Sequence, residues 1–239
     1  MKRLLTILTA ALCLASCTIV AGEPAKGEII EKSIAISGEP VALAISCGFD
    51  VVVDPTLPRG EVRVSTHSDI MDLVDIRMED ATLNIKLKST KLRANTLSVR
   101  IPEYDYNTVA ISGGADLKWH SSKARMLTVA ASGGADVAIT TESEMITLAV
   151  SGGADTVIKG TSKQLSVAAS GGADVDTSEL KAESVEVSAS GGADVEVYAA
   201  NSLTVEASGG ADVIYAGNPT TKNITCSGAA DVWHEGIDD

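Results

Sequence analysis

Aromatic residues make up only 3% of this 239-residue chain, with one Phe and two Trp. Its core must therefore be assembled from Val, Ile, Leu and Ala, and small aliphatic side chains suit a thin core. Basic residues are scarce as well: 19 Lys and Arg against 32 Asp and Glu leave a formal charge of -13. Binding to nucleic acid or to an anionic membrane surface needs Lys and Arg clusters that release counterions, so this balance argues against both. Disorder is excluded by a hydrophobic content of 45%. The apolar run from Leu4 to Leu12 is far too short to span a membrane.

A recognisable catalytic constellation is also missing. The three histidines, His67, His120 and His234, are scattered and read as solvated surface residues. No cofactor is expected.

What the chain does have is repetition. The five residues Ser-Gly-Gly-Ala-Asp begin at Ser112, Ser132, Ser151, Ser170, Ser190 and Ser208, and a copy altered by one residue begins at Ser227. The recurring acids Asp116, Asp136, Asp155, Asp174, Asp194, Asp212 and Asp231 follow at intervals of 18 to 20 residues. Such a period marks a repeat architecture.

Within one repeat, Leu127-Thr128-Val129-Ala130-Ala131 and Val137-Ala138-Ile139-Thr140 alternate apolar with small or polar residues. That is the period-2 pattern of strands with one buried face, so each repeat holds two strands. Inward positions recur at five, three and one residues before the motif Ser and one past the Asp, which leaves each Asp pointing out at a corner. The Gly pair supplies backbone angles closed to other residues, and Gly172→Val is expected to destabilise the fold. The second corner, such as Thr141 to Glu144, varies in length and composition. Identical corners favour a solenoid over stacked hairpins, because one coil per repeat puts every Asp and every inner Val in a ladder at about 4.8 Å spacing. The expected fold is all-β: a right-handed parallel β-helix-like solenoid of about 19-residue two-strand repeats over 107–234. A degenerate β-rich part precedes it over 29–106. Within that part, Ser46-Cys47-Gly48-Phe49-Asp50-Val51 aligns with the motif as an eighth corner. From Val62 to Ile101 the strand-like runs fit either three worn coils or a small antiparallel sheet.

The first residues read as a targeting signal: Lys2 and Arg3, an apolar run, then Leu14-Ala15-Ser16-Cys17, which resembles a bacterial lipobox. On that resemblance residues 1–16 are removed and Cys17 becomes the lipidated first residue, with 17–28 as a tether and 29–239 as a single domain. Cleavage after Gly22 is the alternative. With Cys13 lost and Cys17 lipidated, Cys47 and Cys226 remain, about seven coils apart and too distant for a disulfide.

A lipobox, a degenerate β-rich first half, the run Leu97-Ser98-Val99-Arg100-Ile101-Pro102 and the repeated SGGADV corners resemble the family described as putative auto-transporter adhesin head domains, the GIN domain, common in Bacteroidetes. The resemblance implies a β-helix and a Gram-negative cell-envelope lipoprotein of the outer membrane. It carries over no functional residues.

Two readings of the acidic ladder stand: corner amides hold the carboxylates, or the ladder binds calcium. The repeats lack the third Gly and the second acid of calcium-binding β-rolls, which favours the amides and no metal. For function, a non-catalytic adhesin-like binding or scaffold module for protein or glycan is expected. The alternative is a glycan-active β-helix enzyme, a polysaccharide lyase or hydrolase. Such an enzyme needs carboxylates in distinct environments, and these are interchangeable. Outward side chains on the repeats are mostly small or acidic, so a ligand patch is expected where the pattern breaks, at Tyr198, Ile214 and Trp233, or in the irregular region from Val62 to Tyr106. Trp119 and Tyr215 fall on inward positions.

Overall fold

A computed structural model describes residues 23–89, 92–93 and 95–236. The signal, Cys13 and the lipobox with Cys17 lie outside the described residues.

The repeats form a β-solenoid, and its coils stack in parallel, in-register ladders. Asp50, Asp116, Asp136, Asp155, Asp174, Asp194, Asp212 and Asp231 pair in that order. Inside, Leu43, Val109, Val129, Leu148, Val167, Val187 and Val205 stack in one column, each no more than 1% exposed. The motif alanines Ala115, Ala135, Ala154, Ala173, Ala193 and Ala211 are fully buried beneath the corner. Small side chains there let the chain turn tightly over the core, which is why the motif carries Ala before each outward Asp.

In the four central repeats the two strands run into each other through the second bend, with register shifts there between some coils. Strands run unbroken over Asp136–Gly152, Asp155–Gly171, Asp174–Gly191 and Asp194–Gly209. Polar residues make this bend possible, because their hydroxyls turn inward and are satisfied. Thr141 is buried, with Oγ1 donating to the Ser122 carbonyl at 3.1 Å and lying 2.8 Å from Ser143 Oγ. Ser162 Oγ donates to the Gln164 carbonyl at 2.7 Å. A buried hydroxyl without such partners would cost about 1–3 kcal/mol.

Both structures considered for the N-terminal part are present in small measure. Leu97–Pro102 stacks in parallel on Asp50–Asp54, and Thr82–Leu87 does so on Ala42–Ile45, forming one worn coil. Antiparallel strands close over it: Glu61–His67 pairs with Ile29–Ala35 and with Leu97–Pro102, while Val74–Glu79 pairs with Thr82–Leu87. Val62, Val64, Leu83, Ile85, Val99 and Ile101 are at most 1% exposed, so this region caps the core. The expected tether is held from Glu23 onward. Glu23–Pro24 pairs with Leu92–Arg93, and the Lys26 amide donates to Asp69 Oδ2 at 2.9 Å. Backbone pairing thus fixes residues whose composition suggested a loose linker.

Among the described residues no equivalent cap covers the other end. Every residue of Thr221–Gly228 is exposed, including Ile224 and Cys226 on inward positions, because no described residue stacks over them.

Candidate functional site

The acidic corners are built by their backbone. The amides of Gly153, Gly172 and Gly192 donate to the carbonyls of Gly133, Gly152 and Gly171 at 2.7–2.8 Å, and those of Asp155 and Asp174 to Ala135 and Ala154 at 3.0–3.1 Å. Corner amides therefore bond to the preceding coil and do not serve the carboxylates, contrary to expectation. The carboxylates are left to water and to each other. Burial first, then Asp136 and Asp50, raise the pKa of Asp116, and burial first, then Asp174 and Asp136, raise that of Asp155. Among the described residues no three His, Cys, Asp or Glu side chains converge to hold a metal ion.

From the corner of Gly133 and Gly134 onward, the strict requirement for glycine falls on the first of each pair. Gly171 has φ +84°, and a Cβ there would sit 3.0 Å from the Gly152 carbonyl oxygen. Gly172 has no left-handed φ, and its nearest neighbour would be 3.8 Å away. The expectation for Gly172→Val thus belongs to Gly171. The altered last copy agrees, because Gly228 keeps the first position at φ +75° while Ala229 takes the second.

Ile214 and Trp233 pair directly across neighbouring strands on the outer face, in the same column as Glu196. Trp233 is 44% exposed. Tyr198 does not join them. It pairs with Ala216, two residues further along, so strand spacing and rise put its Cα about 12 Å from that of Trp233. Its ring is covered by Lys181, whose Nζ lies 3.8 Å from the centroid. Beside the pair, His234 stacks on Tyr215 at 4.7 Å, and its Nε2 lies 2.6 Å from the Gly217 carbonyl oxygen. This histidine is a packed structural group.

A cleft of about 590 Å³ opens between the second bend of the first regular coil and the N-terminal part. Its walls are the loop carrying Leu57 and Arg59, the stretch Glu103 to Tyr106, and the end of the strand Asp116–Ser122 with the following residues. Tyr104, Tyr106 and Trp119 are packed edge to face, with centroids 5.8 Å apart at each step. Tyr104 Oη accepts from the Gly60 amide at 2.8 Å, and Arg59 lies over the Tyr104 ring at 5.1 Å. Burial, then Tyr104, push the Tyr106 phenol up, keeping it protonated as a donor to the Pro102 carbonyl at 3.3 Å. Two signals in the sequence marked this place: the 20-residue interval after Asp116, and three of the few aromatics falling between Tyr104 and Trp119. The extra residue appears as a register shift between Trp119 and Ser122, with Ser121 at φ +72°.

A putative adhesin from Bacteroides fragilis has a similar fold, with TM-score 0.82 and 20% identity over 89% of this chain and all of that one. A putative adhesin from Parabacteroides merdae has TM-score 0.72 and 15% identity, covering 88% and 98% of the two chains. A protein from Parabacteroides distasonis named as a putative lipid binding protein has TM-score 0.65 and 16% identity with the same coverage. No curated protein matches the chain. The profile of one family covers residues 40–219, from the first corner to just short of the terminal coil, and with the repeated corners and the solenoid it shows that the chain belongs to the family described as putative auto-transporter adhesin, head GIN domain.

Proposed function

We propose that this protein is a non-catalytic lipoprotein of the outer membrane, anchored through Cys17, and that its solenoid is an adhesin-like module holding a binding surface away from the membrane. The observation that carries this reading is the exposed Trp233 paired with Ile214 on the outer face of the last two described coils, at the end of the stack opposite the N-terminal cap. An aromatic anchor beside an apolar neighbour is the kind of surface on which a protein or glycan gains binding energy, and truncating such an anchor commonly costs about 2 kcal/mol or more. Membership in an adhesin-named family and the repeated, interchangeable carboxylates support a binding role over turnover.

The test is Trp233→Ala, alone and with Tyr198→Ala, on glycan arrays and panels of purified host-surface proteins. Trp233→Ala should lower binding at least tenfold while the thermal transition stays in place, and the second change should add little. Binding that survives Trp233→Ala removes this patch, and release of oligosaccharide from any glycan removes the non-catalytic reading. Radiolabelled palmitate incorporated by the wild type and lost in Cys17→Ser tests the anchor.

A further inference from the structure

The last described coil offers an unused sheet edge. Asp231–His234 pairs with Asp212–Ala216 on one side, and among the described residues nothing pairs with the other. The amides of Asp231 and Glu235 donate to the carbonyls of Ala211 and Tyr215 at 3.1 and 2.9 Å, so these residues, and Trp233 between them, turn their backbone groups toward the preceding coil. Strand alternation then turns the N–H and C=O of Val232 and His234 away from the stack. The side chains alternate in step: Asp231, Trp233 and Glu235 are exposed on the outer face, and Val232 packs against the core. Free N–H and C=O groups in a row are a template for a further strand.

Charge selects what that strand can be. From Asp174 to Gly236 the chain carries eleven Asp and Glu against two Lys, whereas residues 107–173 hold five acids and five bases. Acidity is thus concentrated in the coils at this end, and a positively charged segment is drawn to it. At the edge itself Asp231 and Glu235 flank Trp233, and the column behind Trp233 runs through Ile214 to Glu196. Burial first, then the carboxylates of Asp176 and Glu235, raise the pKa of Glu196, so the acids here repel one another. A second copy stacked end to end about a two-fold axis through Trp233 would set Asp231 opposite Glu235. Like charges directly opposite are destabilising, which argues against that occupant.

We propose that this edge takes an extended, basic segment of another protein as an added strand, with the side-chain pattern basic-x-aromatic-x-basic. The aromatic residue lies beside Trp233 at the strand spacing of about 4.8 Å, and the two basic residues lie beside Asp231 and Glu235. Main-chain bonds to Val232 and His234 supply affinity, and the alternate side chains supply choice. Lys222 faces inward, with its Nζ 5.9 Å from the Tyr215 ring, so the residue that comes to lie over His234 should be uncharged. This inference rests on the reading of Trp233 as a binding surface and names the class of partner.

The full chain, labelled with ¹⁵N, is titrated with the synthetic peptide Thr-Lys-Val-Tyr-Val-Lys-Thr, which reads the same in both directions. The amides of Val232 and His234 and the Trp233 indole should shift saturably. Replacing both Lys by Glu should weaken binding about tenfold or more, and so should Asp231→Asn with Glu235→Gln in the protein. Two N-methylated peptides test the backbone, one methylated at both Val and the other at Tyr and both Lys. One should lose binding and the other keep it, since an antiparallel strand bonds through the Val amides and a parallel one through those of Lys and Tyr. The proposal is overturned by absence of saturable binding, by equal affinity of the Glu peptide or of the protein variant, or by equal affinity of the two methylated peptides. A dimer in sedimentation whose Val232 and His234 amides are protected from exchange would give the edge to a second copy and overturn it too. Trp233→Ala separates the two readings: glycan or protein binding lost in this variant, with no peptide bound by the wild type, removes the added strand and leaves the surface.

Discussion

The amide of Asp116 donates to the carbonyl of Phe49 at 2.9 Å, joining the first regular corner to a corner that precedes it by the whole antiparallel cap. The chain leaves the stack after Asp54, builds the cap, and returns to the coil it left. The coil of Asp50 is therefore a full member of the solenoid, and the core is continuous from the cap to the terminal coil.

That order fixes the distance between the cysteines. Cys47 lies on the Asp50 coil and Cys226 on the last, seven steps of about 4.8 Å away, or about 34 Å. No disulfide joins them. Under non-reducing conditions the monomer should show no Cys47 to Cys226 crosslink in peptide mass spectra. Iodoacetamide should label exposed Cys226 well before half-buried Cys47, and labelling in the reverse order would contradict the open terminal coil.

The two glycines of a corner should respond very differently to substitution. Gly171→Ala places a side chain against the Gly152 backbone in a left-handed conformation and should cost about 1–3 kcal/mol in urea unfolding. Gly172→Ala makes only an ordinary van der Waals contact, with the Gly152 carbonyl oxygen at 3.8 Å, and should stay within about 0.5 kcal/mol of wild type. Cys47 occupies the first-glycine position of its corner at φ +70°, so Cys47→Gly should gain up to about 1 kcal/mol. Equal losses at Gly171 and Gly172 would assign both to contact rather than conformation.

Stability should peak in mild acid. Asp116 and Asp155 have folded pKa values raised above the ordinary 3.8, so the native state holds their protons more tightly and gains stability as pH falls through the folded values toward 3.8. Asp54, Asp69 and Glu144 are shifted the other way. Thr56 chiefly lowers Asp54, the Lys26 amide lowers Asp69 and Arg125 lowers Glu144, so their contribution is present above the unfolded values and lost as pH drops through the folded ones. Melting temperature should rise from pH 7 toward about 4–5 and fall below that. Asp155→Asn should raise the melting temperature at pH 7 and shrink the rise, and a monotonic fall from pH 7 downward would contradict this account.

Chelator should leave the melting temperature unchanged, since a cation bound only by the native state would stabilise it by mass action. A calcium-dependent rise of several degrees would show that the corner carboxylates bind cations.

The regular coils were legible in the sequence because each position repeats its burial: inward Val129, Leu148 and Val167 and outward Asp136, Asp155 and Asp174 fall where the alternation puts them. Less legible was which glycine carries the strain, since the letters of a pair are identical and only the backbone distinguishes Gly171 from Gly172. The cap was hidden for another reason. Thr82–Leu87 and Glu61–His67 have the same alternating pattern, and alternation does not tell a parallel neighbour from an antiparallel one. Tyr198 and Trp233 share an outward parity, but a two-residue offset and Lys181 part them. The cleft was missed because its walls come from three separate stretches, only one of which is irregular in sequence.

The in-register stack also sets how the molecule responds to a pull along its axis. Between coils the backbone hydrogen bonds run along the stacking direction, so force applied from the cap to the terminal coil stretches each bond lengthwise and does not shear a whole strand at once. Among the described residues the last coil has a neighbour on one side only, so it peels first and lengthens the chain by one repeat while the rest stays folded. Under rising tension the protein should extend in steps of one coil, dissipating load that would otherwise reach whatever is bound at its tip.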